Sequence, residues 1–222
     1  VSKSDRHQII AIVVLGIFTI LAILVKIQFA PLLSLDESWL ERFQTSAIGQ
    51  HTLIWHTVTT LGSPVITGCA MVIVSLFLMR THQWSWAAFI LATLVGGDAL
   101  LLVVKHLVGR LRPIHQVIQD TGFGFPSGHV FSAALLACIL ITLIVRSLDL
   151  NWLSWGLIAV FSVAVIGLML ARLGLRNHYP SDVMGGVLLA SGWWLQLLSL
   201  VERLPQYFEN ESEANNRAVK KG

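Results

Sequence analysis

Three short polar segments interrupt an otherwise apolar chain. The first carries Lys105, Arg112 and Pro113, the second is Pro126-Ser127-Gly128-His129, and the third carries Arg172, His178 and Asp182. Lys105, Arg112 and Arg172 supply three cations, enough to balance the negative charge of one phosphoryl group. An arginine fork matches phosphate oxygens in pairs. Ser127 and Gly128 stand immediately before an apolar run, so they mark a helix start. Ser127 is expected to cap that helix and Gly128 to let backbone approach a ligand closely. Free N–H groups at a helix start cradle phosphate. The same donors suit a trigonal-bipyramidal transition state, whose equatorial oxygens carry much of the charge. His178 and Asp182 are four residues apart, which puts them on one face of a helical turn. A carboxylate bonded to one ring nitrogen fixes the tautomer and leaves the other nitrogen free to attack. Taken singly, each cation reads equally well as a side chain snorkelling to lipid headgroups, and each histidine as an interfacial one. The spacing of all of them together favours phosphate chemistry.

The elements that must position these residues are membrane helices. Of 222 residues 55% are hydrophobic and only 12% charged, against about 25% charged in a typical soluble domain. That excludes an ordinary soluble protein and a disordered one. Two cysteines cannot form a disulfide framework. Six apolar stretches are long enough to cross a bilayer: Ile9–Val25, Leu53–Met79, Trp84–Val104, Val130–Val145, Trp152–Leu170 and Val183–Val201. Gly62, Ser63 and Pro64 kink the second or mark its true start. Asp36–Gln50 has the apolar spacing of a short amphipathic helix (Trp39, Leu40, Phe43, Ala47) lying at the interface. The first span reads as a retained anchor. Residues 1–204 form one six-span unit, followed by a polar tail over 205–222.

With six spans both termini share a side. That side carries eight Lys and Arg residues and the other seven. Setting aside Lys105, Arg112 and Arg172 as site residues leaves eight to four, so the termini are expected in the cytoplasm. The net charge of +3 is read as this orientation bias and not as nucleic-acid binding. All three polar segments then fall on one membrane face, the outer one. Asp98, inside the third span, is a candidate to pair with a cation or to line the path to the site. Arg110, Asp120, His106 and His115 are candidates to touch a headgroup or to fold the loop. Cys69 and Cys138 read as small core residues, Trp39, Trp84, Trp152 and Trp155 as interfacial belts, and Gly185, Gly186 and Gly192 as helix-contact positions.

The pattern resembles the type 2 phosphatidic acid phosphatase superfamily, whose motifs are K-x6-R-P, P-S-G-H and S-R-x5-H-x3-D. Lys105, Arg112 and Pro113 match the first, Pro126 to His129 the second, and Arg172, His178 and Asp182 the third. Ala171 stands where that third motif opens with Ser, so a hydroxyl that could support the phosphate is missing. Arg176 stands where many relatives have a small residue, and would add charge beside the site or meet lipid headgroups.

The resemblance implies an all-α, polytopic membrane protein of six transmembrane helices around a haloperoxidase-like phosphatase core. It implies His178 as nucleophile, Asp182 as its orienter, and His129 as the acid that protonates the leaving group and then activates water. It implies phosphate binding by Lys105, Arg112, Ser127, Gly128 and Arg172. No metal or other cofactor is expected, because magnesium sites on phosphates use one or two carboxylates and Asp182 is already committed. The substrate class is a membrane lipid mono- or diphosphate. Undecaprenyl diphosphate and phosphatidylglycerol phosphate lead, ahead of phosphatidic acid and diacylglycerol pyrophosphate. A lipid phosphotransferase would carry the same motifs. A binding or transport protein would use the cations without needing the His178–Asp182 pair.

Overall fold

In hydrocarbon every backbone N–H and C=O must be satisfied within the segment, and among the described residues the chain does it with helices alone. The computed structural model describes residues 2–203, so the tail over 205–222 lies outside the described residues. Among the described residues there are eight helices: α1 (Lys3–Lys26), α2 (Ala30–Thr45), α3 (Thr52–Leu61), α4 (Pro64–Arg80), α5 (Trp84–Val108), α6 (Gly128–Ser147), α7 (Trp152–Gly174) and α8 (Pro180–Val201). Six stretches are long and apolar enough to cross a membrane, with α3 and α4 together forming the second, Thr52–Arg80.

Every helix that carries a motif runs past the apolar stretch that betrays it. The third span continues four residues beyond Val104 and so includes Lys105 in its last turn. The fifth continues beyond Leu170 through Arg172, and the sixth begins three residues before Val183, taking in Ser181 and Asp182. Hydropathy stops where polar side chains begin, but the backbone hydrogen bonding does not. The second span breaks at Gly62-Ser63-Pro64. Pro64 cannot donate to the preceding turn, and Ser63 caps the new helix by accepting from the Ile66 N–H at 3.4 Å.

The expected interfacial helix exists with different limits. It starts at Ala30, six residues before Asp36, and ends at Thr45 rather than Gln50. Asp36 is therefore not at its beginning but in its middle, on the same stripe as Leu32 and Leu40, and it is only 2% exposed. Trp39 points outward, as an interfacial belt residue does.

Helix α8 is the most buried of the spans and packs chiefly on α1 and α6. Close approach is made possible by glycines: a Cβ on Gly192 would stand 2.6 Å from Leu15, and one on Gly186 would stand 2.8 Å from the Ser127 carbonyl oxygen. Ser4 Oγ donates to the Ser199 carbonyl at 2.8 Å, fastening the same pair of helices at the opposite end. The main core gathers Met71, Ile90, Phe125, Phe131, Leu135, Ile139 and Trp194. A smaller cluster of Trp55, Ala171 and Leu175 joins α3 to the end of α7. The rim tryptophans Trp84, Trp152 and Trp155 are exposed, as belts are. Trp193 and Trp194 pack inside, donating to the Thr93 carbonyl and to Thr142 Oγ1. Cys69 departs from its expected core position and faces outward from α4.

Candidate active site

The three motifs meet at one end of the bundle. Lys105 comes from the last turn of α5, which is stopped by Gly109 in a left-handed conformation (φ 68°) that favours glycine. The loop that follows is folded around Arg112. Its Nε donates to the Gly122 carbonyl at 3.0 Å, its Nη2 to the Thr121 carbonyl at 3.0 Å, and its Nη1 to the Asn177 carbonyl at 3.1 Å. Lys105 Nζ donates to the Phe123 carbonyl at 2.8 Å. Ser127 N–H donates to the Asp182 carbonyl at 3.0 Å, which locks the second motif to the third.

His178 is fully buried in the turn between α7 and α8. Its Nε2 lies 3.0 Å from Arg112 Nη1, so this nitrogen is the acceptor and carries the lone pair. Its Nδ1 faces Asp182 Oδ2 at 3.4 Å, longer than a well-formed hydrogen bond, and makes no hydrogen bond otherwise. Asp182 is itself held on three sides. Oδ1 accepts from Arg110 Nη1 at 2.9 Å, Oδ2 accepts from the Tyr179 N–H at 2.9 Å, and the main chain receives Ser127.

Burial, followed by the nearby charges of Arg172, Arg112 and Lys105, holds the His178 ring well below the usual histidine range. A ring shifted this way stays neutral as pH falls through about 6.5, where an ordinary histidine becomes charged. In protein carrying 13C-labelled histidine, with the resonance assigned through His178→Gln, the His178 ring should not titrate between about pH 5.5 and about pH 8. A midpoint near 6.5 would contradict the buried, cation-lined setting.

Asp120 occupies the middle of the cation cluster. Its Oδ2 accepts from Arg172 Nη2 at 2.5 Å and lies 3.0 Å from Arg112 Nη1. Burial works against its charge, but the two guanidinium groups outweigh it and hold the carboxyl below its ordinary range. Five buried side-chain polar atoms find no partner among the described residues, and three belong to expected site residues: Ser127 Oγ, Arg172 Nε and His178 Nδ1. Buried polar groups are nearly always paired; His178 Nδ1 faces Asp182, which leaves Ser127 Oγ and Arg172 Nε as the two donors of the expected site with no partner among the described residues. Ser127 thus stands at the N-cap of α6, but its hydroxyl does not cap the helix as expected. Gly128 leaves open the space beside the Lys105 stem, where a Cβ would stand 3.8 Å from Cε. His129, in the first turn of α6, is half-buried within electrostatic reach of Arg172, Asp120, Arg112 and Lys105.

The structure therefore brings together all eight expected residues: Lys105, Arg112, Ser127, Gly128, His129, Arg172, His178 and Asp182. Others do not join them. Asp98 is exposed on α5, with no cation paired to it among the described residues. His106 and His115 are exposed. Arg176 is engaged by the loop and by α2: Nε donates to the Ile114 carbonyl at 2.8 Å and Nη2 meets Glu37 at 3.3 Å. Ala171 lies in the apolar cluster with Trp55 and Leu175.

Two residues of the site went unread in the sequence. Asn177 donates to Gln116 Oε1 and to the Ile118 carbonyl, pinning the loop above the cluster. Asp36 reaches Arg110 from α2. An acid on the apolar stripe Leu32, Asp36, Leu40 was the available signal, once the helix is started at Ala30. Among the described residues no group of three or more His, Cys, Asp or Glu side chains is placed to hold a metal ion.

The family profile described as the PAP2 superfamily matches residues 84–205, more than half of the chain. The chain belongs to the PAP2 superfamily. It is 30% identical over 113 residues to phosphatidylglycerophosphatase B of Bacillus subtilis (strain 168), covering 49% of this chain and 55% of that protein. It is 29% identical over 131 residues to lipid A 1-phosphatase of Rhizobium etli, covering 53% and 50%. The chain spans about half the length of the curated relatives it matches. A crystal structure of a transmembrane PAP2-type phosphatidylglycerolphosphate phosphatase from Bacillus subtilis superposes with a TM-score of 0.76 at 21% identity, covering 87% of this chain and 96% of that one. The all-helical, six-span PAP2 fold expected from hydropathy and motifs is the one observed.

Proposed function

We propose that this PAP2 protein hydrolyses the terminal phosphate of a membrane lipid mono- or diphosphate through a phosphohistidine on His178. The observation that carries the reading is the state of His178. The ring is buried, its Nε2 lone pair faces Arg112 at 3.0 Å, and its Nδ1 side faces Asp182. Lys105, Arg112 and Arg172 neutralise the phosphoryl oxygens, and the unpartnered Ser127 Oγ and Arg172 Nε complete their hydrogen bonding. Nε2 attacks phosphorus as the bond to the leaving oxygen breaks, and His129, which takes up a proton when the phosphate dianion enters beside it, gives that proton to the leaving oxygen. A water then attacks the phosphohistidine while His129 takes a proton from it, which frees inorganic phosphate and restores both rings. The fixed cations do the charge stabilisation that a metal supplies elsewhere.

By the Lys and Arg bias the termini are cytoplasmic and the site is on the extracytoplasmic side of the cell membrane. Substrate is drawn from the surrounding lipid. Undecaprenyl diphosphate and phosphatidylglycerol phosphate are the leading candidates, with phosphatidic acid, diacylglycerol pyrophosphate and, from the relatives, a lipid A 1-phosphate behind them.

A phosphate-release panel tests this. Reconstituted protein is offered each of these lipids without an added acceptor, with and without EDTA. Free phosphate from at least one, undiminished by EDTA, is the expected result. Release only when a second lipid or sugar accepts the phosphoryl group would show a transferase. Loss in chelator restored by magnesium would overturn the metal-free mechanism.

A further inference from the structure

The oxygen of Asp182 that does not face His178 belongs to a second buried array. Arg110 bridges two carboxylates from different elements, with Nη1 at 2.9 Å from Asp182 Oδ1 and Nη2 at 2.7 Å from Asp36 Oδ2. Ser181 closes the ring. Its Oγ donates to Asp36 Oδ2 at 2.5 Å and accepts from Arg110 Nη1 at 2.6 Å, and its N–H donates to Asp36 Oδ1 at 2.9 Å. The Arg110 guanidinium also lies 4.2 Å over the Tyr179 ring. Asp36 thus accepts three hydrogen bonds although it sits on the helix that lies outside the six spans. The carboxylates of Asp182 and Asp36 overcome burial and keep Arg110 firmly charged. A buried ion pair adds little net stability over a well-packed apolar replacement, and its best-attested use is to fix geometry. The geometry fixed here is the rotation of the carboxylate that orients the nucleophile.

We propose that Asp36 is a positioning residue of the reaction. Through Arg110 it sets the Asp182 carboxylate and hence the His178 ring, so the seating of α2 on the start of α8 is a condition for a productive nucleophile. Asp36 and Arg110 touch neither phosphate nor the reacting nitrogen. The proposal rests on the phosphatase reading above and adds to it a contribution from an interfacial element that carries no motif.

The test uses the full chain in lipid nanodiscs with the best substrate of the panel. Asp36→Asn should lower kcat by at least about tenfold and leave KM within about twofold, because the phosphate-binding cations are untouched. The double variant with Arg110→Gln should be no slower than Arg110→Gln alone, since both act through one carboxylate. Glu37→Gln removes a charge from the adjoining residue of α2 and should leave kcat at the wild-type value. If Asp36→Asn fails to fold, Ser181→Ala replaces it. That change deletes one hydroxyl from the ring, and about a threefold loss in kcat is expected at unchanged KM. The His178 ring resonance should move in Asp36→Asn or Ser181→Ala and stay in place in Glu37→Gln. That readout needs no turnover. A wild-type protein that releases no phosphate from any lipid would remove the phosphatase reading, and the resonance would still judge the relay. Wild-type kcat in Asp36→Asn, a double variant whose loss is the product of the two single losses, or an unmoved His178 resonance would each overturn the proposal.

Discussion

Replacing His178 with alanine abolishes lipid phosphate release, with kcat falling by at least about 10^4-fold. In the proposed mechanism the neutral ring is the nucleophile, and its Nε2 lone pair is turned towards Arg112. Without it Arg112 loses one acceptor but keeps three carbonyls and Asp120. The cation pocket therefore survives. Binding of a lipid phosphate, measured by displacement of a fluorescent analogue, should change by no more than about threefold. The same experiment tests the intermediate. Wild-type protein quenched after brief exposure to 32P-labelled substrate should hold label that acid releases and base does not, and His178→Ala should hold none. A variant that turns over at the wild-type rate would remove the mechanism.

Asp182→Asn, isosteric and equally buried, should lower kcat by about 10^3-fold or more and destabilise the fold by about 3 kcal/mol. The reason lies in the donors around it. Arg110 Nη1 points at one oxygen, and the Tyr179 N–H points at the other, beside His178 Nδ1. Both positions require an acceptor, and an amide has only one. If its NH2 faces Arg110, a charged donor is left buried and unpaired. If it faces Tyr179, it also confronts His178 Nδ1, and the ring must turn or change tautomer, which takes the lone pair off Nε2. Thermal unfolding and steady-state kinetics on one preparation measure both effects. Activity within about tenfold of wild type would show that the carboxylate does not govern the ring.

These effects could be anticipated because the motif residues declare themselves. In a chain this apolar, Lys105, Arg112, Arg172, His178 and Asp182 stand out by composition, and their spacing places them at helix ends on one membrane face. The helix limits were less legible, since a motif residue at a span end is polar and so reads as the end of the helix that holds it. Asp36 shows the same masking in reverse. A buried acid reads as the polar start of an amphipathic stretch unless its long-range partner is known, and Arg110 lies 74 residues away in sequence. Asp98 misled in the other direction. An acid inside an apolar span reads as a partner for a cation, and here the side chain turns outward from α5 instead. Asp120 became legible only with the loop folded, because no local pattern places its carboxylate between two arginines from different motifs.

The union of α1 with α8, through Leu15 against Gly192 and Ser4 against Ser199, has a consequence for biosynthesis. Of the eight helices, the one that leaves the ribosome earliest finds its main partner in the one that leaves last. Until α8 is inserted, α1 lacks the helix it packs against most. Assembly of the bundle is therefore post-insertional, and a chain stalled before α8 presents the membrane quality-control machinery with an unclosed intermediate.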